Sequence, residues 1–336
     1  MRNKIFTLLA AFCMTVGVFA QVGEVEYTGK TYTRHQVLVE QFTGQGCQYC
    51  PEARRSIDAG VERHPDEIAV VAHYHYSSGT LQIPGNTALA AAYNISGAPK
   101  CMRDRIAMSR SRRSTLIDPV SIGSDNDAAG ARLRVASDLD ITLEGSSYDP
   151  ATRKLHIIVN GEVGKALPDL RINVMLTESG IIATQAGVSG EYTHNDVCRA
   201  YVTGALGEVL KLKANGTYRC EYEYTIPAYS ASKGYAHNDP EQMRIVAFVN
   251  SYDNYVQKPT GDEKDFKDSE VHNCVSVKVA DLPDPEHAKE PENPREGVGT
   301  VLRSETQQGI YGLDGRQMKT PVKGFNIIDG KKTIVK

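Results

Sequence analysis

Two cysteines three positions apart, Cys47 and Cys50, stand in "EQFTGQGCQYCPEA" directly after the β-rich run "HQVLVEQFT" and just before Pro51. A Cys-x-x-Cys placed where a strand gives way to a helix suits thiol chemistry, because unpaired backbone N–H groups and the helix dipole stabilise the first cysteine's thiolate. Such a setting can bring a thiol pKa from about 8.5 into the range of about 3.5 to 7.5. In that reading Cys47 is the attacking sulfur, and Cys50, one turn into the helix, resolves a mixed disulfide by attacking Cys47. Pro51 fits the first helical turn, where its missing N–H costs little. Two other readings stay open. The pair is a permanent clip between strand and helix, or half of a metal site, because "VAHYHY" sets His73 and His75 on one strand face and would complete a Cys₂His₂ set.

Pro99 in "ISGAPKC" sides with exchange. It follows the cysteines by about fifty residues, between a helix and the next strand. In a thioredoxin fold a cis-proline faces the cysteine pair from that position, and a cis X–Pro bond costs only about 0.5 to 1 kcal/mol. Cys47, Cys50 and Pro99 are therefore the candidate site residues.

The elements that must position them are legible from hydrophobic periodicity. "VLVEQFT" reads as a buried strand, "CPEARRSIDAGVERHPDE" as a helix with Ala53, Ile57 and Val61 four apart, and "EIAVVAHYHY" as a second strand. A short helix "NTALAAAYNI", a strand "APKCMRDRIAM" and a closing helix "SDNDAAGARLRVAS" complete an α/β layer. From about Asp138 the pattern changes to seven short strands with polar turns, which predicts an antiparallel, immunoglobulin-like sandwich. "DLPDPEHAKEPENPREG" has four prolines and six acidic residues, the composition of a stiff linker. The tail "GIYGLDGRQMKTPVKGFNIIDGKKTIVK" alternates like a small β-meander.

The first twenty residues read as a secretory signal: Arg2 and Lys4, then "IFTLLAAFCMTVGVFA" with a small-residue site ending at Ala20. Cys13 suggests a lipoprotein anchor as an alternative, but Phe12 stands where such a signal needs a small residue, so the expectation is cleavage after Ala20. Without Arg2 and Lys4, 36 basic face 41 acidic residues, a net charge near −5 that carries no nucleic-acid footprint. Six cysteines remain after processing, in a compartment where disulfides persist. The expected fold class is an α/β thioredoxin-like domain followed by an all-β immunoglobulin-like sandwich. Its boundaries are 1–20 signal peptide, 21–137 thioredoxin-like, 138–280 sandwich, 281–298 linker and 299–336 tail.

"VLVEQFTGQGCQYCPEA" together with "AAAYNISGAPKCMRDR" resembles the thioredoxin-like part of the twenty-eight-kilodalton outer membrane protein family of Bacteroidetes. "YTHNDVCRAYVTGALGEVL" is similar to that family's His-Asn…Arg stretch, here His194, Asn195 and Arg199, so the likeness covers most of residues 35–280. The tail resembles the C-terminal sorting segments of type IX secretion. The resemblance implies location and architecture more than a reaction: an exported protein of the outer membrane or cell surface.

The departures from thioredoxin are specific. Gly46 stands where tryptophan is usual, and the chain has no tryptophan. Glu40 falls near the place of thioredoxin's buried acid if one residue is inserted before Cys47. Cys101, two residues after Pro99, is either a third thiol at the site or a small buried hydrophobe. Strand alternation points Cys198 (with Ala200 and Val202) and Cys220 (with Tyr218, Tyr222 and Tyr224) into the sandwich, where they could pair, and Cys274 outward. "RDRIAMSRSRR" reads as a solvated edge or a binding patch, and His194, Asn195 and Arg199 as a strand start and interdomain contact or as ligand-orienting groups.

The functional expectation is thiol–disulfide exchange with extracytoplasmic protein thiols or disulfides, without cofactor or resident metal. The alternative is a non-catalytic surface adhesin or binding protein that carries an inert structural disulfide and meets a surface ligand.

Overall fold

The computed structural model describes residues 25–77, 79–106, 127–228, 238–252 and 269–288, together with the backbone of short strands at 116–117, 310–311, 317–318, 324–328 and 331–335. The signal-like segment and most of "RDRIAMSRSRR" lie outside the described residues. The chain divides into two compact units, Met1–Glu290 and Pro291–Lys336.

The first unit opens with β1 (Val37–Thr43), buried along its whole length, its polar residues Glu40, Gln41 and Thr43 included. Helix α1 (Cys50–Arg63) packs Ile57 and Val61 into a cluster with Val39 of that strand and carries Pro51 in its first turn. β2 (Ile68–Tyr74) runs parallel to β1, α2 (Pro84–Ala92) follows, and β3 (Lys100–Arg103) returns antiparallel to β1 with β4 (Leu116–Ile117) at its edge. Helix α3 (Ala128–Leu133) is capped by the Asp127 carboxylate, which accepts from the Gly130 N–H. The layer order is thus β2-β1-β3-β4, the α/β layer expected from the strand and helix pattern.

The β-rich half begins with β5 (Ser147–Asp149) and β6 (Lys154–Glu162), then β7 (Leu170–Glu178) and a small hairpin of β8 (Ile181–Ala183) and β9 (Tyr192–His194). After these come β10 (Val197–Tyr201), β11 (Glu208–Val209), β12 (Thr217–Thr225), β13 (Met243–Ser251) and β14 (Val271–Lys278). Two layers form. β12-β6-β5 is a three-stranded sheet, and β14-β13-β7-β10 is an antiparallel set with β11 paired to β7. Leu155, Ile157 and Val159 of β6 meet Ile172, Val174 and Leu176 of β7 and Ile245 and Ala247 of β13 in one core between them.

Beyond residue 137 the larger β set continues the α/β sheet. β10 lies parallel to β2, with Val197 opposite Ala72 and the Ala72 N–H donating to the Asp196 carbonyl at 2.7 Å. The result is one nine-stranded mixed sheet. That sheet curls back on itself, because Gln36, just before β1, bridges Cys274 on β14. It encloses Leu38 and Val71 with Met175, Cys198, Val246, Phe248 and Cys274.

This continuity corrects two expectations about the cysteines. Cys274 does alternate with the valines of β14, yet it is fully buried, because the face expected to meet solvent is covered by the α/β layer. Cys198 and Cys220 do not pair. A β-bulge between Cys198 and Ala200 turns the two onto different faces, so Ala200 joins the core between the layers while Cys198 points into the curled sheet. Cys220 packs against the other core from β12.

The second unit holds an antiparallel sheet of β15 (Ile310–Tyr311), β16 (Gln317–Met318), β17 (Gly324–Ile328) and β18 (Lys331–Val335), in the order β16-β15-β17-β18.

Candidate functional site

The loop from β1 to α1 must turn tightly past the end of β2. At Gly44 a β-carbon would stand 1.8 Å from the Tyr76 carbonyl oxygen, so only glycine fits. The Cys47 N–H then donates to the Gly44 carbonyl at 3.0 Å, and Cys47 and Cys50 form a disulfide with Cα atoms 5.4 Å apart. Gly46, in the place of the usual tryptophan, donates its N–H to Ser77 Oγ at 3.2 Å. Pro99 belongs to the same end of the sheet. Lys100 pairs with Phe42, so Pro99 falls beside the end of β1 from which the cysteine loop departs, and the Ala98–Pro99 bond is cis.

Both sulfur-bearing residues are nearly covered, Cys47 at 4 % exposure and Cys50 at 2 %, while Tyr49 between them stands out at 64 %. The cover is the loop between β8 and β9. Gln185 Nε2 donates to the Cys47 carbonyl at 2.8 Å and the Gly44 carbonyl at 3.3 Å, Ala186 N–H donates to the Gln45 carbonyl at 2.8 Å, and Gln45 Nε2 donates to the Thr184 carbonyl at 3.2 Å. Gly187, at φ +81°, sits so close that a β-carbon would lie 2.7 Å from the Gln48 carbonyl oxygen. No periodicity or motif marks this loop, and sequence reasoning missed it.

Gln185→Ala removes two buried hydrogen bonds across the cysteine loop. Dithiothreitol is expected to reduce the Cys47–Cys50 bond about fivefold faster in that variant, the factor for about 1 kcal/mol of lost closure. Thiol alkylation followed by mass spectrometry measures it; an unchanged rate would mean that the loop does not govern access.

The faces of β1 decide which polar residues reach the pair. Val39 packs with Ile57 of α1, so Val39, Gln41 and Thr43 share the helix side. Glu40 faces the other way. It is fully buried and held by Arg105 through Nε and Nη2, each at 2.7 Å, and by His73 Nε2 at 3.2 Å. Burial alone would raise its pKa, but the Arg105 guanidinium and His73 outweigh burial and bring it down to about 2. Glu40 is a fixed anion on the wrong face to relay a proton to Cys50. Gln41 occupies the buried position beside the cysteine helix instead.

His73 and His75 share a face, as alternation requires, but it is the face of Phe42, their ring centroids 5.1 and 5.7 Å from it and turned away from α1. Both nitrogens of His73 are engaged, Nδ1 by Tyr201 Oη at 2.7 Å and Nε2 by Glu40. Those histidines cannot join the cysteines in a Cys₂His₂ set. Cys101, opposite Gln41 in the β1–β3 ladder, is a buried thiol among Val39, Ile57 and Ala129, which is the packing reading.

On the helix side a small cavity touches the resolving position. Cys50, Gln41, Thr43, Tyr74, Gln185 and His194 surround about 10 Å³ of space. Arg54, one turn beyond Cys50, closes it and ties α1 to the β-rich half. Its guanidinium donates to Asp58 at 2.7 Å, to Asp196 at 2.6 Å and to the Asn195 carbonyl at 3.0 Å. His194 and Asn195 therefore lie at the cysteine helix. Arg199 is elsewhere, paired with the buried Glu178 at 3.1 Å.

The model of the family described as outer membrane protein Omp28 matches residues 86–261. Among solved structures, HBP35 of Porphyromonas gingivalis is similar with a TM-score of 0.57 at 15 % identity, over 90 % of this chain and 98 % of that one. A domain of the outer membrane lipoprotein Omp28 from the same organism is 25 % identical with a TM-score of 0.28, over 44 % of this chain and 91 % of that one. No curated protein matches. The first likeness extends the fold across both the α/β layer and the β-rich half.

Proposed function

We propose that this chain, which belongs to the Omp28 family of outer membrane proteins, exchanges thiols and disulfides with proteins outside the cytoplasm. Its place is the outer membrane or cell surface. The observation that carries the reading is the Cys47–Cys50 disulfide at the start of α1, at the end of a parallel β1–β2 pair. In this reading residues 21–137 are a thioredoxin-like domain, Cys47 attacks, Cys50 resolves, and Pro99 shapes the substrate groove. The two-layered β half, 138–280, is an immunoglobulin-like module. Residues 1–20 direct export, 281–298 form the linker, and 299–336 act as a type IX sorting tail.

The chemistry needs no cofactor. A substrate disulfide is attacked by the Cys47 thiolate, giving a mixed disulfide and one substrate thiol. Cys50 then attacks Cys47, releasing the second substrate thiol and closing the protein disulfide. The helix N-terminus lowers the energy of the Cys47 thiolate, which also makes Cys47 the better leaving group in the reverse direction.

One observation favours a second reading. The cysteines are almost covered by the 184–188 segment, as a permanent clip in a binding protein would be. Reduction of insulin disulfides by dithiothreitol, followed as turbidity, separates the two. Exchange predicts faster precipitation with the full chain than with dithiothreitol alone, and a rate equal to that control favours the clip.

A further inference from the structure

Reduction frees the Cys50 sulfur from Cys47, and a thiolate formed there needs room and a partner for its charge. The room is the cavity of about 10 Å³ on the helix side of β1, which Cys50 lines. Gln41 lines the same cavity and is 2 % exposed. Its carboxamide makes no hydrogen bond among the described residues. A buried amide without a partner is costly and rare, so a partner that arrives in only one state of the protein accounts for its place. Cys50 is the neighbour that changes state.

We propose that the Gln41 carboxamide is the hydrogen-bond donor that holds the Cys50 sulfur once the disulfide opens, and so sets how readily Cys50 resolves a mixed disulfide. The proposal rests on the exchange reading above.

An amide suits this task because its two N–H groups donate, and a donor favours the charged form of a thiol. It takes up no proton, so the Cys50 proton leaves to hydroxide or buffer in the solvent. The thiolate attacks Cys47 Sγ in the mixed disulfide, and the Cys47–Cys50 bond forms as the bond from Cys47 to the substrate sulfur breaks. The substrate leaves with that electron pair as a thiolate and is protonated by solvent. The substrate disulfide has gained two electrons and the cysteine pair has lost them.

The other groups around the cavity are committed elsewhere or neutral. Gln185 donates to the Cys47 and Gly44 carbonyls. Arg54 on α1 is a cation, its charge answered by Asp58 and Asp196. His194 on β9 meets Tyr74 Oη at 2.7 Å through Nδ1, while the Ala183 and Thr184 carbonyls face its ring. Burial lowers its pKa to about 4, which leaves it neutral near pH 7 and too weak a base for a thiol. Burial raises the phenol pKa values of Tyr74 on β2 and Tyr192 on β9, so neither carries charge there. Cys101, opposite Gln41 on β3, packs among Val39, Ile57 and Ala129, and Glu40 is held by Arg105 on the far face of β1. Thr43, two residues along the same face as Gln41, adds only a hydroxyl to the wall.

The test reads how Cys50 responds to pH in the full chain. In a Cys47→Ser background, the rate at which iodoacetamide alkylates the Cys50 peptide between about pH 6 and 10, followed by mass spectrometry, gives the thiol's pKa. Gln41→Met keeps the length of the side chain and loses the donors; it is expected to raise that pKa by about one unit, a tenfold loss of thiolate below it. With both cysteines present and reduced, an aromatic disulfide that releases a coloured thiolate is followed by stopped flow. Attack by Cys47 releases the first equivalent and resolution by Cys50 the second. A thiolate of higher pKa is the better nucleophile, by about threefold per unit. Gln41→Met is therefore expected to resolve about threefold more slowly at pH 7 and about threefold faster near pH 10, with the first phase unchanged. Gln41→Asn keeps the amide but draws it back by one carbon; it is expected to cross over in the same direction, and serves if Gln41→Met does not fold. A Cys50 pKa unchanged in both variants, or a second phase slowed by the same factor at every pH, overturns the role of Gln41 while leaving exchange standing. A wild-type protein that releases neither equivalent overturns the exchange reading itself, and this proposal with it.

Discussion

Glu40→Gln is expected to cost about 3 to 5 kcal/mol of stability in guanidinium unfolding, because it leaves the Arg105 guanidinium buried without its counter-charge. Arg105 is 1 % exposed and lies under Tyr93 and Phe248, with ring centroids 5.2 and 4.9 Å from its guanidinium carbon. No water can replace the lost carboxylate there. The double variant Glu40→Gln with Arg105→Met removes both charges and is expected to recover much of the loss, since the penalty belongs to the orphaned partner rather than to the pair. Acid unfolding gives an independent check. Glu40 binds its proton more weakly in the folded state, about 2 against an ordinary 4.5, so its contribution is complete above about pH 4.5 and is lost as the pH falls toward 2. The difference between wild-type and Glu40→Gln stability should therefore narrow through that window. A difference constant from pH 6 to pH 2 would contradict the ion pair.

The second large effect separates the two cysteines. Cys50→Ser is expected to accumulate mixed disulfides at Cys47 with surface proteins, visible on non-reducing gels and dissolved by dithiothreitol. Cys47→Ser is expected to trap none and to reduce insulin no faster than dithiothreitol alone. Both variants lose the same short cross-link, worth about 2 kcal/mol by loop entropy, so a stability loss shared by the two says nothing about function. The asymmetry in trapping does. Equal trapping by the two variants, or none by either, would remove Cys47 from the role of nucleophile.

Much of the α/β layer was legible because its cues are local. β1 matches the β-rich run "VLVEQFT", and α1 opens at Cys50 with Pro51 in its first turn. Pro99 was found by its place between a helix and a strand, and the cis bond stands there. What was not legible depends on contacts distant in sequence. Alternation assigns Cys198 and Ala200 to one face, but a bulge between them reverses one of the two, and bulges leave no periodic trace. Alternation alone points Cys274 outward, because nothing in β14 reveals that the α/β layer covers that face. The β8–β9 loop is a short polar stretch around Gly187, and its closeness to the cysteines follows from β10 joining β2, a pairing of residues far apart in the chain. Counting back from Cys47 with one inserted residue puts Glu40 near the pair. The alternation of β1 gives that side to Gln41 instead, and the register of the loop decides which count holds.

The central claim is that the Cys47–Cys50 bond turns over, and its reduction potential tests this most directly. Equilibrating the full chain with dithiothreitol buffers of graded potential and counting alkylated cysteines gives the value. Exchange predicts a midpoint between about −120 and −270 mV, the span of known exchange proteins, and a midpoint below about −300 mV would contradict it by marking the bond as structural.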